Sequence, residues 1–230
     1  HLDAHRKLGP DVVVIGPMRR PPDIDLQPWV DWEQAMLDKQ YAAMEGGAWS
    51  ATPRQFYTGN ASLQRARLLD VGGFDCAFRR AEDVELAYRL DDAGMRFEYL
   101  SDAAGYHYAK RSFEAWRSMA YTYGRNDVIF ARDRGRDWIF PFMAEKFGQH
   151  QAPLRWLISS TVRVPKAGAV LAPALRLLAM ASDRVGLPAI ARASYSCIYG
   201  IEYHGGIADE LGSREAFFES VRTGTGPTSS

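Results

Sequence analysis

The chain holds 230 residues, 47% of them hydrophobic and 24% charged, which suits one large globular domain or a domain with an appendage. Its 28 basic and 28 acidic residues cancel, so there is no electrostatic footprint for nucleic acid, and that class of partner is set aside. Cys76 and Cys197 stand far apart and outside any metal-ligand spacing, so free thiols are expected.

In chain order, "HLDAHRKL" has the pattern of the last turns of a helix, closed by Gly9-Pro10. A β-branched run at 12–15 then predicts a strand. A chain that opens inside an element, without Met, leads to the expectation of a further segment upstream. Three prolines make 19–34 mainly a loop, and a helix is expected over about 30–44. Residues 45–55 form a second loop, with Gly46 and Gly47 adjacent and Trp49 exposed. "FYTGNASLQ" predicts a short strand broken at Gly59-Asn60, and "RARLLDVGG" a helix stopped by Gly72-Gly73.

The helix expected over 82–93 carries Leu86, Leu90 and Ala93 on one stripe and a Glu85–Arg89 pair four apart, with Gly94 as its stop. "MRFEYL" alternates as a strand, with Met95, Phe97 and Tyr99 on one face. A longer helix runs from Ser112, its N-cap, to about 132. Residues 151–200 are helical by pattern, cut by Pro153, Pro165, Pro173 and Pro188. The nearest approach to a membrane span, 167–181, is too short and is interrupted by Pro173 and Arg176. No signal peptide is visible. The expected organisation is an α/β part over 1–132, a helical extension over 133–220 and a disordered tail over 221–230.

Glu82-Asp83 opens the 82–93 helix ahead of any apolar stripe. Free amides and the helix dipole stabilise carboxylates there, so helix stability alone is one explanation. A carboxylate aimed into a cleft as a general base is the other.

The order around the pair carries more weight. It runs Gly59, Asn60 and Ser62; Gly72, Gly73, Phe74 and Asp75; Glu82 and Asp83; Arg89, Leu90 and Gly94; then His107. This succession resembles the second half of the GT-A, Rossmann-like fold of family 2 glycosyltransferases. The resemblance implies an inverting transfer from a nucleotide-sugar donor to a hydroxyl of a glycan or lipid-linked acceptor, as in bacterial cell-surface polysaccharide assembly. Asp83 would be the catalytic base, with Glu82 holding an acceptor hydroxyl or the helix start. His107 would either pack as a structural residue or join an Asp-x-Asp motif in binding Mg²⁺ or Mn²⁺.

Around that centre, Gly59 shapes the turn and Asn60 either bonds sugar hydroxyls or caps the turn locally. Trp49 either stacks on an acceptor sugar or anchors a lid. Lys110 and Arg111 either steady the diphosphate or form a solvated basic turn.

The family's Asp-x-Asp motif and its base- and diphosphate-binding strands have no counterpart here, and "DID" at 23–25 sits in a proline-rich loop. The expectation is therefore a truncated or split enzyme, completed by an N-terminal half or a partner chain. An exposed sheet edge and poor solubility would accompany that state. The Gln-x-x-Arg-Trp motif of processive synthases is missing, so a non-processive enzyme is expected. The implied location is the cytoplasm, at the inner face of the membrane if the 151–200 helices lie on lipid rather than pack on the catalytic part. The competing reading is a non-catalytic half-domain that binds a glycan or a partner.

Overall fold

A computed structural model describes residues 1–226; residues 227–230, the end of the expected tail, lie outside the described residues. The chain is mostly helical with a small mixed sheet, an arrangement compatible with the α/β class. It divides into two compact units, His1–Arg111 and Ser112 onward. Residue 132, the expected end of the α/β part, lies in the last turn of a helix, Phe113–Asp133, that falls in the second unit.

In the first unit α1 (Leu2–Leu8) leads into β1 (Val12–Ile15), all four of whose side chains are buried. A strand covered on both faces needs an unbroken apolar run, and "VVVI" supplies it. Val12 and Val14 pack with Ala4 of α1, and Val13 and Ile15 face the other way. β1 pairs antiparallel with β3 (Ala61–Ser62) and parallel with β4 (Arg96–Tyr99). α4 (Glu82–Asp92) lays Leu86, Ala87 and Leu90 against Val13, Ile15, Phe56 and Met95, with Phe97 and Tyr99 at the margin. Leu86 and Leu90 of the expected α4 stripe and Met95, Phe97 and Tyr99 of the expected β4 face make this core, whereas Ala93, expected on the same stripe, is exposed just past the end of α4.

A second, parallel pair joins β2 (Met18–Arg19) to β5 (Gly105–Tyr106). α2 (Pro28–Glu45) covers the other side of Met18. The Met18 N–H donates to the Tyr41 hydroxyl at 3.2 Å, and the Gln34 amide donates to the Met18 carbonyl at 3.0 Å. The open strand edge expected of a half-fold is therefore satisfied at this point by side chains.

The strand expected over 56–64 is mostly a turn. Thr58–Asn60 is one turn of 3₁₀ helix and only Ala61 and Ser62 are extended. The reason is tertiary: Asn60 is held in place by bonds to the backbone just before β2 and just before β5. α3 (Arg65–Asp70) ends where expected, with Gly72 and Gly73 at φ 86° and 71°.

The second unit is a helical bundle of α5 (Phe113–Asp133), α6 (Ile139–Gln149), α7 (Ala152–Arg163), α8 (Pro165–Arg184), α9 (Pro188–Glu210) and α10 (Arg214–Thr223). Ser112 caps α5 by accepting from the Ala115 N–H at 3.1 Å. Three of the four prolines open helices, where their missing N–H costs nothing. Pro173 does not cut the segment as expected but lies inside α8. The first residues of the expected tail, 221–223, finish α10. Among the described residues no helix is long and apolar enough to cross a membrane.

α5 and α9 cross closely because two glycines face the opposing backbone. A Cβ on Gly124 would lie 1.9 Å from the Tyr203 carbonyl oxygen, and one on Gly206 would lie 2.0 Å from that of Tyr121. Arg117 pairs with Glu202, and Arg125 and Arg132 both pair with Glu210 across the same contact. Gly205, one residue earlier, faces open space.

Neighbouring glycines therefore give opposite outcomes. Gly206→Ala is expected to lose about 1–3 kcal/mol by forcing two backbones apart. Gly205→Ala is expected to gain roughly 0.5–1 kcal/mol from helix propensity alone. Urea melts of the two variants check this, and equal effects would refute the close crossing.

Candidate functional site

In the first unit the turn at 58–60 carries Gly59 and Asn60 and meets the Asp83 carboxylate through the Thr58 N–H. α4 starts abruptly: Ala81 takes the left-handed conformation at φ 56°, unusual for a residue with a Cβ. The first helical residues are then Glu82 and Asp83, both half-buried. The Asp83 carboxylate accepts from the Val84 N–H at 2.9 Å, and the Thr58 N–H also stabilises it. Burial, however, outweighs these bonds. It raises the Asp83 pKa above the ordinary carboxylate value, and the adjacent Glu82 charge raises it further. The result is a carboxylate with more affinity for a proton than a solvated one.

What fixes α4 is a deeper pair. Glu85, 3% exposed, is met by Arg89 at 2.6 Å. The same guanidinium donates to the carbonyls of Val71 and, at 2.7 Å, Gly73. The glycine turn and the acidic pair of the sequence signature are thereby fastened together. Asp75 closes the following turn by accepting from the Ala77 N–H at 2.9 Å.

Across the 58–60 turn, Gly59 lies against Met18 of β2, where an added Cβ would stand 2.6 Å from the sulfur. His107 follows β5, and its N–H donates to the Arg19 carbonyl of β2 at 3.0 Å. Its side chain is half-buried. Burial first, and then the Arg111 charge, lower its pKa from 6.5, so the ring is neutral at pH 7. Thr58, Gly59 and β2 thus form a chain of contacts from Asp83 toward His107. Among the described residues there is no group of three or more His, Cys, Asp or Glu side chains that could hold a metal ion.

Asn60 has a structural task. Its side-chain NH₂ donates to the carbonyls of Pro17 at 3.0 Å and Ala103 at 2.7 Å, and its own carbonyl accepts from Gly16 at 2.9 Å. Both amide protons are spent, so the sugar-binding role weighed for Asn60 gives way to the local one. Arg111 is likewise engaged. Its guanidinium lies 3.0 Å from Glu33, and its carbonyl accepts from the Trp29 indole. Lys110 is exposed, and Trp49 stands half-exposed on the loop after α2.

Sequence reasoning missed two features here. Gly16 allows the crossing, since a Cβ there would be 2.0 Å from the Ala103 oxygen; the only signal was a Gly-Pro after the strand. His1, at the N-cap of α1, and His5, four residues on, meet Ser62 at 2.7 and 2.9 Å, and His1 also meets the side-chain oxygen of Asn60 at 3.0 Å. The i, i+4 spacing carried that signal, but nothing local pointed to Ser62 as the target.

A raised carboxyl pKa favours the protonated form on folding. The stabilisation it brings is present in full below pH 3.8 and disappears as pH rises through the raised value. Asp83→Asn, which keeps a neutral acceptor for the Val84 N–H, is therefore expected to melt higher than the native chain at pH 7. That advantage should vanish below pH 3.8. Calorimetry at the two pH values checks it, and a difference independent of pH would refute a desolvated Asp83. No family model matches the chain, and neither a curated protein nor a solved structure does.

Proposed function

We propose that the first unit is the acceptor side of an inverting, non-processive glycosyltransferase of the family 2, GT-A type. The observation that carries this reading is the Asp83 carboxylate. It is half-buried at a strained helix start, raised in proton affinity, and set against the Gly59-Asn60 turn. Helix stability alone does not account for it. A carboxylate serving only the helix dipole would be solvated and lowered in pKa, whereas burial dominates here.

In the proposed reaction an acceptor hydroxyl loses its proton to Asp83 as its oxygen forms a bond to the anomeric carbon of the donor sugar. The bond from that carbon to the nucleoside diphosphate breaks on the opposite face, which inverts the centre. Glu82 keeps the Asp83 pKa up by charge repulsion. Trp49 and Lys110 are the exposed groups left to meet acceptor and diphosphate. The reading needs an Asp-x-Asp unit besides residues 1–230 to bind the donor and to supply carboxylates for Mg²⁺ or Mn²⁺ beside His107.

Assayed together with such a donor-binding unit, Asp83→Asn is expected to lose transfer by about 10²–10⁴-fold while nucleotide-sugar binding persists. Transfer needs the ionised base, so the rate climbs with pH through the Asp83 pKa. Glu82→Gln removes a raising charge and should move that acid limb to lower pH. Native rates in Asp83→Asn, or an unmoved limb in Glu82→Gln, would remove Asp83 from the role of base.

The pairing of Arg111, one of the diphosphate candidates, with Glu33 favours a second reading, a non-catalytic half-domain that binds a glycan. Glycan binding by titration calorimetry that is unchanged in Asp83→Asn, with no transfer under any condition, would support it instead.

A further inference from the structure

α8 is turned inside out for a helix of a globular bundle. Its buried positions are small: Gly168, Ala172, Ala179 and Ser182. Gly168 faces Ile201 of α9. Its outward face, at helical spacing, runs Lys166, Val170, Pro173, Leu177, Ala181, Arg184. Val170 is 72% exposed and Leu177 68%, with Leu178 beside them. The exposed apolar run continues round the turn into α9 through Val185 at 70%, Leu187 and Ile190. A contiguous apolar surface of this kind on a water-facing helix marks an interaction site.

Charge selects the partner. The chain as a whole is neutral, with 28 residues of each sign. Residues 151–192 nonetheless hold Arg155, Arg163, Lys166, Arg176, Arg184 and Arg192 against the single acid Asp183. On the outward face itself, cations stand at the two ends, Lys166 and Arg184, with only apolar side chains between them. A helix of about 30 Å with an apolar strip and long cationic side chains at its ends matches a bilayer interface, where the stems lie in hydrocarbon and the charges reach phosphate. Trp156 on the adjoining α7 is 70% exposed, a residue type suited to the headgroup level.

We propose that the outward face of α8, continued by the 185–190 turn, docks in the plane of an anionic lipid bilayer surface. Nothing in this depends on Asp83 or on the transferase reading.

The test is flotation of the full chain with two vesicle types. One is phosphatidylcholine alone and the other carries about one-quarter phosphatidylglycerol. The native chain is expected to float with the anionic vesicles, to stay behind with the neutral ones, and to be released by high salt. Lys166→Glu with Arg184→Glu, and separately Val170→Ser with Leu177→Ser, should each weaken flotation by about tenfold or more. Circular dichroism melts matching the native chain establish that the variants are folded, as expected for solvent-facing positions. No flotation of the native chain, equal flotation with neutral vesicles, or folded variants that float like the native chain would each overturn the proposal. So would sedimentation showing a self-associated chain that Val170→Ser with Leu177→Ser dissociates, without any vesicle binding.

Discussion

Everything that makes the first unit's polar surface ordered depends on one buried charge being answered. Glu85 lies inside the core face of α4, where an unpartnered carboxylate would have to take up a proton or unfold its surroundings. Arg89, one turn on, meets it with its Nε–H, shared between the two carboxylate oxygens, and an Nη2–H, and it also donates to the carbonyls of Val71 and Gly73. Removing one partner of a fully buried pair costs about 3–5 kcal/mol. Because the Arg89 side chain is still 28% exposed, that range is an upper bound here. The same guanidinium that neutralises Glu85 therefore also sets where the chain may enter α4. With the Gly72–Gly73 turn fixed on one side and Leu86 and Leu90 on the other, Ala81 is left to absorb the mismatch in a left-handed conformation. Glu82 and Asp83 inherit their position from that compromise.

A second constraint acts from the opposite direction. Asn60 bridges the chain before β2 to the chain before β5, and Gly16 is what lets the three backbones come so close. Its amide performs the accounting that a regular ladder would perform elsewhere, because two-residue strands leave carbonyls unpaired. The turn it anchors offers Thr58 to Asp83 and Gly59 to Met18. Two short-range motifs separated by about twenty residues are thus brought to one place by two different polar clamps, each buried enough to be costly to break.

The sequence pattern made the regular part legible. The four-residue apolar strand, the stripe of α4, the alternation of β4 and the Ser112 cap all depend on local periodicity or local hydrogen bonds, and each stands where its pattern put it. Residues whose role depends on distant partners were not legible. The Glu85–Arg89 spacing announced the pair, but not its burial or its bonds to the Val71 and Gly73 carbonyls, which no local window contains. Asn60 and Arg111 had the chemistry of ligand-binding groups, but the backbone and Glu33 had already claimed them. The break expected at Gly59-Asn60 is there, but it widens to a turn over 58–60 that leaves only Ala61 and Ser62 extended, because a side-chain clamp overrides a weak β propensity. Helix α6 falls within the expected helical extension but was not delimited in it, because Pro141 and Gly148 interrupt its pattern although tertiary packing buries Ile139, Phe140 and Met143.

The second unit reverses the usual relation between periodicity and burial, and the reason lies in its glycines. α5 and α9 approach until backbone meets backbone at Gly124 and Gly206, and the large buried side chains of the unit, Trp116, Tyr195, Phe130 and Phe217, sit on or beside that pair. α8 meets α9 at Gly168, which faces Ile201, its fully buried positions are small, and Leu171, Leu175 and Met180 are only half-buried. Its apolar stripe then has a correct helical period but points at water. Turning α8 by half a circle would bury Val170 and Leu177, gaining roughly 1.5–3 kcal/mol for each fully buried side chain. That rotation would have to push those side chains into a contact sized for glycine and alanine, where overpacking costs a similar amount. Steric fit against α9 therefore holds the stripe outward, and the cations at its two ends determine which kind of surface is a favourable place for it.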